Sequence, residues 1–424
     1  MSRAVVLVGN PARPYSRALR IGRTLVAEGY DVEIAATWQA DAPQGEHDGE
    51  IAINRYRPIG RFAGFSARYQ PPDRARSAAG SRLARIVRTQ RARVVSWAFW
   101  PHTVRGWWAA LGRDLPPADL YHACGLLALP PALAARNRDR RAGRRSRVIY
   151  DVIDITLESN AALALPRLVR ALLARRERRW ARAADARVAV NDAFADRARA
   201  RWSLADRPTV VPNYPEPWSP PPAAPDLIRD ELGLSGDVRI CLFWGRLGPN
   251  LGLAETAEAV LTVPSAAMVV LGFGRGWEAS VARDRDPRFA DRHFTLPARH
   301  PDELPAWIAS ADVALIALPP VSFNQRYTTP NKFLEAMMAG TPIVLGPDLP
   351  TMAEILERED LGRVAGSMAP ADIGRAIKTI LDLPNEERHA WRSRIAETAR
   401  TRYSWPRAAA TYREVVAALR PPPG

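Results

Sequence analysis

The chain has 424 residues, 47% hydrophobic and 25% charged, and its 60 Lys+Arg against 45 Asp+Glu give a formal net charge of +15. That composition excludes a disordered, collagenous or fibrous protein, and the length calls for at least two domains, not one small module. Two cysteines, Cys124 and Cys241, lie far apart in apolar surroundings, which excludes a disulfide framework and a Cys-rich metal site and points to a reducing, cytoplasmic compartment.

The first residues hold one base and a short apolar run that stops at Asn10-Pro11, too short for a signal peptide and suited to a first strand. Short β-branched runs then alternate with longer segments of helical period. The expected elements are a strand from Ala4 to Val8, a helix from about Ser16 to Glu28, and strands from Val32 to Ala36, Leu120 to Ala123, Val148 to Val152 and Ala186 to Val190. The longest apolar stretch, Ala123 to Ala135, is broken by Pro130-Pro131 and falls short of the ~20 residues of a spanning helix. Seven prolines crowd between Pro212 and Pro225, a stiff connector that suits neither a helix nor a central strand and marks a domain boundary at 217/218. Beyond it the rhythm restarts: strand Arg239 to Trp244, helix Leu253 to Leu261, strands Ala267 to Leu271 and Val313 to Ala317, helix Asn331 to Ala339, strand Ile343 to Leu345. Alternation of this kind predicts α/β architecture, two doubly wound parallel sheets whose carboxyl ends face a shared cleft. The charge is uneven: residues 1–217 hold 37 Arg against 20 Asp+Glu, so the first half carries the whole positive excess.

The segment with most chemistry runs from Thr329 to Val344. Thr329 suits an N-cap, Pro330 the first helical position, and Gly340 a C-terminal stop. The helix start then offers free N–H groups and a positive dipole end to a diphosphate. Lys332 adds a point charge, and Glu335 is placed to accept the two hydroxyls of a ribose. A well-capped surface helix with a solvent-facing Lys and Glu is the plainer reading of the same residues.

The wording of this segment resembles the donor-binding signature of glycosyltransferase family 4, the retaining, metal-independent GT-B enzymes that use nucleotide-activated sugars. Other pieces resemble that family in order and spacing: Val211-Pro212-Asn213 the interdomain junction, Phe243 to Leu247 the strand and loop whose Arg246 reaches the diphosphate, Leu271-Gly272-Phe273-Gly274 a glycine turn. Asp302 to Val313 is similar to the helix and strand that precede the signature. Tyr403-Ser404-Trp405 opens a last helix, residues 404–420, that in the family crosses back to the N-terminal domain. The resemblance implies an acceptor-side domain over 1–217, a nucleotide-sugar domain over 218–403, and transfer of a sugar to an acceptor hydroxyl. It implies catalytic roles for Arg246, Lys332 and Asp151, and donor contacts from Gly245, Gly272, Gly274, Tyr327, Thr329, Pro330, Asn331 and Glu335. No metal and no cofactor are expected beyond the nucleotide-sugar co-substrate. Electrostatic stabilisation of the leaving diphosphate supplies the catalysis, a contribution that is usually large. The base is expected near Thr295 to Ala298. His122, at the end of a strand facing the cleft, is open to a hydrogen-bonded structural role, as for the other scattered histidines, or to touching substrate on the acceptor side. Asp151 and Asp154 are open to two roles, orienting the acceptor or capping the next helix.

Three positions depart from the family pattern: Tyr327 where a Glu often touches the sugar, Leu251-Gly252 where a second cation usually stands, and Ile153 where some members place a His. They keep a catalytically silent GT-B partner or scaffold open as the alternative. Asp284-Arg285-Asp286 has the shape of a metal-binding Asp-x-Asp but sits in a charged run that suits a solvated loop. Gly272 to Gly276 lacks the spacing of a dinucleotide fingerprint. His293 and His300 have no partner at metal-ligand spacing and are expected to be structural.

Two first-half stretches join Arg to apolar residues at helical spacing. Arg82 to Arg93 is followed by Trp97, Phe99, Trp100, Trp107 and Trp108, and Arg167 to Arg182 contains Leu168, Leu172 and Trp180. The Trp cluster points the stretch Arg82 to Trp108 towards an anionic membrane surface or a lipid-linked or other glycan acceptor, hence a cytoplasmic protein peripheral at the inner face of the membrane. For the second stretch an interfacial helix and a solvated helix packed on the sheet stand side by side. Nucleic acid is not an expected partner, because no recognition motif accompanies the charge.

Overall fold

The computed structural model describes residues 2–13, 16–60, 104–159, 162, 165–221 and 226–420. The chain divides into two compact units, Met1–Pro212 with Ala409–Gly424, and Asn213–Ala408.

The first unit is built on an eight-stranded sheet of order β3-β4-β2-β1-β5-β6-β7-β8. Its strands are β1 Ser2–Val8, β2 Tyr30–Thr37, β3 Gly45–Asp48, β4 Ile51–Tyr56, β5 Leu120–Cys124, β6 Arg147–Val152, β7 Ala186–Ala189 and β8 Thr209–Val210. All neighbours pair in parallel except β3, which is antiparallel to β4. The central strands are nearly continuous apolar runs because helices cover both faces of a parallel sheet. In β4 burial alternates residue by residue, as expected near an edge. The β3–β4 ribbon was not expected; the polar Gly-Glu-His-Asp of β3 has no apolar alternation to announce it.

The second unit carries a six-stranded, all-parallel sheet of order β11-β10-β9-β12-β13-β14. Its strands are β9 Arg239–Leu247, β10 Ala266–Gly274, β11 His293–Pro297, β12 Val313–Ile316, β13 Ile343–Leu345 and β14 Gly362–Val364. In each unit the order reverses beside the first strand, between β1 and β5 and between β9 and β12, the switch points where open α/β sheets form a crevice at their carboxyl ends.

The proline-rich connector has no regular structure over 211–221. It lies against the second unit: Trp218 N–H donates to Met338 Sδ at 3.4 Å, Trp405 N–H to Pro215 O at 2.7 Å, and Tyr214 meets Tyr403 edge-on at 5.5 Å. The last helix, Trp405–Leu419, begins in the second unit; from Ala409 it belongs to the first, where Tyr412 is fully buried. None of the described helices is long and apolar enough to cross a membrane.

Candidate active site

In the second unit the chemistry gathers where β9 and β10 end beside the helix Asn331–Met338. β9 runs three residues further than expected, through Leu247, and β10 reaches Gly274, so the expected glycine turn is still paired strand, with Gly272 opposite Gly245, Phe273 opposite Arg246 and Gly274 opposite Leu247. Arg246 therefore sits on a strand end, is exposed, and forms no ion pair with a described acidic residue.

The helix start is shifted by one residue from the expected cap. Pro330, extended at φ −70° and ψ 158°, is the N-cap, and Thr329 precedes it without capping. The Pro330 carbonyl accepts from the N–H of Phe333 at 3.0 Å. A proline suits this position because a cap residue needs its carbonyl and not its missing N–H. Asn331 and Lys332 thus become the first two helical residues, whose N–H groups have no intrahelical partner. Asn213, at the head of the connector, donates its Nδ2 to Asn331 Oδ1 at 2.7 Å and braces that first turn. The far end closes as expected: Gly340 N–H donates to Met337 O at 3.0 Å and Thr341 N–H to Ala336 O at 2.9 Å, the paired bonds of a Schellman stop. Phe333, Leu334 and Met337 bury the inner face, each contributing roughly 1.5–3 kcal/mol.

Lys332 and Glu335 lie half-buried one turn apart and both lean on β9. Lys332 Nζ lies 3.6 Å from the centre of the Phe243 ring. Its stem crosses Gly245, where an added Cβ would meet Lys332 Cε at 3.2 Å and where φ is +94°, a conformation side chains rarely adopt. Burial lowers the Lys332 ammonium to about 7, against the upward pull of Glu335. Glu335 Oε2 accepts from the indole N–H of Trp244 at 2.8 Å. A cation half removed from water at the positive end of a helix is electrostatically uncomfortable, and an anion bound there would relieve it. Phe243, Trp244 and Asn213 were not singled out as site residues. Their signal was only an aromatic pair just before Gly245-Arg246 and an Asn before the prolines.

The departures from the family pattern have structural places too. Tyr327 ends the short helix Phe323–Tyr327 with its ring 4.7 Å from that of Phe323. Leu251 packs on the core of the second unit. Asp284 holds His293 Nδ1 at 2.6 Å and Thr295 N–H at 3.2 Å, and Asp286 caps a short 3-10 turn through Arg288 N–H at 3.0 Å. That pair, expected in a solvated loop, is committed to local structure. Thr295, expected near the base, also meets Ser280 Oγ at 2.8 Å.

In the first unit Asp151 lies away from the acceptor-facing place expected of it, and His122 takes the structural one of its two expected roles. Both are fully buried. Arg17 grips Asp151 with two hydrogen bonds of 2.7 and 2.8 Å, His122 Nε2 lies 3.2 Å from the same carboxylate, and His122 Nδ1 lies 3.0 Å from Tyr412 Oη on the last helix. Burial opposes ionisation of Asp151, but Arg17 and His122 outweigh it and hold the carboxyl at about 2. Ligand atoms of His122, Cys124 and Asp151 lie within 4.8 Å of one another, yet a cation there would have to displace the Arg17 guanidinium. Asp154 is exposed and does not cap: the following 3-10 turn Thr156–Glu158 has Ile155 at its N-cap with no side-chain bond. The cap expectation placed the turn one residue too early.

Of the stretch proposed for a membrane, residues 82–103 lie outside the described residues. Trp107 and Trp108, counted with it, turn inward: the indole N–H of Trp107 donates to Ala36 O at 3.1 Å and that of Trp108 to Leu127 O at 2.9 Å. Both belong to a helix over 104–114.

Residues 238–383 match the family model described as glycosyl transferases group 1, a range that contains Gly245, Arg246, Lys332 and Glu335. No curated protein matches the chain. Among solved structures, sucrose-phosphate synthase from Thermosynechococcus elongatus aligns with a TM-score of 0.69 at 16% identity, covering 99% of this chain and 100% of that one. HepE from Anabaena, in complex with UDP-glucose, aligns with a TM-score of 0.67 at 14% identity, covering 99% and 100%. WaaG, a glycosyltransferase involved in lipopolysaccharide biosynthesis, aligns at 0.61 and 15% identity, covering 96% and 99%. The chain therefore has the GT-B fold, with two Rossmann-like units, and its second unit carries the match to group 1 glycosyl transferases.

Proposed function

We propose that this protein is a glycosyltransferase that moves a sugar, with retention and without a metal, from a nucleoside-diphosphate sugar to the hydroxyl of a glycan or lipid-linked acceptor in the cytoplasm. The observation that carries the reading is the half-buried Lys332 at the start of the helix Asn331–Met338, one turn before Glu335 and beside the open backbone of Gly245. The helix N–H groups and Lys332 receive the diphosphate, Arg246 adds its guanidinium from the end of β9, and Glu335 accepts the ribose hydroxyls. As the sugar leaves, charge grows on the diphosphate, and these fixed donors hold it more tightly in the transition state than before. The match over residues 238–383 and the UDP-glucose complex of HepE support a nucleotide-sugar donor.

A thermal-shift screen of UDP, GDP and their sugars, followed by turnover assays with Glu335→Ala as control, tests this. A diphosphate that raises the melting temperature of the native chain but not of the variant is expected, because a ligand bound only by the folded state must stabilise it. No shift with any nucleotide would remove the reading. Binding without turnover on any acceptor would favour the silent-partner alternative that Tyr327, Leu251 and Ile153 keep open.

A further inference from the structure

The helix Arg167–Ala183 of the first unit is divided along its length in a way the fold does not require. Its inward side is ordinary: Glu177 and Ala181 are buried, Leu173 and Trp180 half-buried, and Trp180 meets Trp108 edge-on at 6.1 Å. The outward side of the first two turns carries Leu168, Val169 and Leu172, which are 74%, 36% and 51% exposed. These are three of the six large apolar side chains exposed among the described residues, gathered within five positions. The outward side of the remaining turns carries Arg175, Arg176, Arg178 and Arg179. The helix holds seven arginines and one acid, Glu177, which is turned inward towards Arg201 at 3.3 Å. No described acidic side chain pairs with Arg175, Arg176, Arg178 or Arg179, whereas two of the three arginines of the next helix are paired, Arg197 with Glu158 at 2.6 Å and Arg201 with Glu158 at 3.1 Å.

We propose that this helix is a docking surface for an anionic lipid bilayer, with Leu168, Val169 and Leu172 entering the interface and Arg175, Arg176, Arg178 and Arg179 resting on the headgroups. The charge decides the occupant. A second copy of the chain would bring the same uncompensated arginines face to face, and a neutral partner would leave them unanswered. An acidic protein would answer them but gives no reason for an isolated apolar tip at one end. A bilayer supplies both halves in the right order, an apolar layer beneath a negative one. The division along the axis implies a tilted approach, tip first. The inference is independent of the glycosyl-transfer reading, because docking needs no substrate.

The test is co-sedimentation of the full chain, without nucleotide, with vesicles of phosphatidylcholine alone or with 30% phosphatidylglycerol. The native chain is expected to bind the anionic vesicles at least tenfold more tightly, and added salt should weaken it. Leu168→Ser/Leu172→Ser and, separately, Arg175→Glu/Arg179→Glu should each lower that affinity at least tenfold with an unchanged melting temperature, since all four positions are exposed. Failure of the native chain to prefer anionic vesicles overturns the proposal. So does retention of binding by both variants, and so does a native dimer that Leu168→Ser/Leu172→Ser makes monomeric, since a second copy would then be the occupant.

Discussion

The indole N–H of Trp244 points at Glu335 Oε2 from 2.8 Å, so a residue of β9 fixes the carboxylate that stands one turn into the helix Asn331–Met338. Trp244 is itself 1% exposed and so holds the carboxylate from a rigid base. The hydrogen bond to an ionised acceptor is worth roughly 1.5–3 kcal/mol. Trp244→Phe keeps the aromatic packing and removes the donor. If Glu335 reads the ribose, nucleoside diphosphate affinity should fall about three- to tenfold and kcat should change little. The preference for UDP over 2′-deoxy-UDP should shrink in parallel. Equal discrimination in variant and native protein would show that the bond only packs the helix.

Lys332 should make diphosphate binding sensitive to pH. Its folded pKa lies near 7 because burial opposes the charged form, while an anion bound beside it favours that form. Below pH 7 the ammonium is already charged and affinity should be flat. Above pH 7 each binding event must take up a proton, so affinity should fall by up to tenfold per pH unit until the pKa of the bound state is reached. Titration calorimetry in buffers of different ionisation enthalpy should register that uptake at pH 8. Lys332→Arg should flatten the profile, because a guanidinium does not titrate in this range.

Much of this was legible in the sequence. Strand and helix alternation placed β1, β2, β5, β6, β7, β9, β10, β12 and β13 within a few residues, because buried parallel strands are apolar throughout and helices are periodic. Strands β3, β8, β11 and β14 escaped because short edge strands carry little pattern, and β4 escaped along with its ribbon partner β3. In the site, Lys332 and Glu335 stood out through helix-start chemistry. The partners that set their properties, Phe243 and Trp244, are about ninety residues earlier and join them only through the pairing order of the sheet. Asp151, and the substrate-facing reading of His122, show the opposite error. Polar residues at strand ends look available for substrate, and only folding reveals that Arg17 and Tyr412 have already taken them.

Of Leu251 and Gly252, the two residues standing where the resemblance led one to expect a second cation, Gly252 has a backbone that leaves no room for a side chain. Gly252 has φ +66°, and an added Cβ would lie 1.9 Å from Ala317 O at the end of β12. Any side chain must push that backbone aside as well as accept a left-handed conformation, so Gly252→Ala should cost about 2 kcal/mol or more. The fall should appear as a lower urea midpoint with an unchanged slope. Gly248→Ala, where an added Cβ meets nothing within 4 Å, serves as the neutral comparison.

The Arg17–Asp151 pair, with His122 and Tyr412 beyond it, should govern stability more than chemistry. Removing one member of a buried ion pair strands the other without water, so Arg17→Met should cost about 3–5 kcal/mol. Tyr412→Phe, which removes a single neutral partner of His122, should cost about 1 kcal/mol. The pH dependence follows from the depressed carboxyl. Asp151 titrates near 2 when folded, below its ordinary value, so its contribution is complete above about pH 4 and is lost as pH falls from there through 2. Asp151→Asn should therefore be less stable than the native chain at pH 7, with the gap narrowing by about 2–3 kcal/mol towards pH 2. Urea melts of both proteins across pH 2 to 7 measure it, and a gap that stays constant with pH would show that the carboxylate charge is not what Arg17 holds.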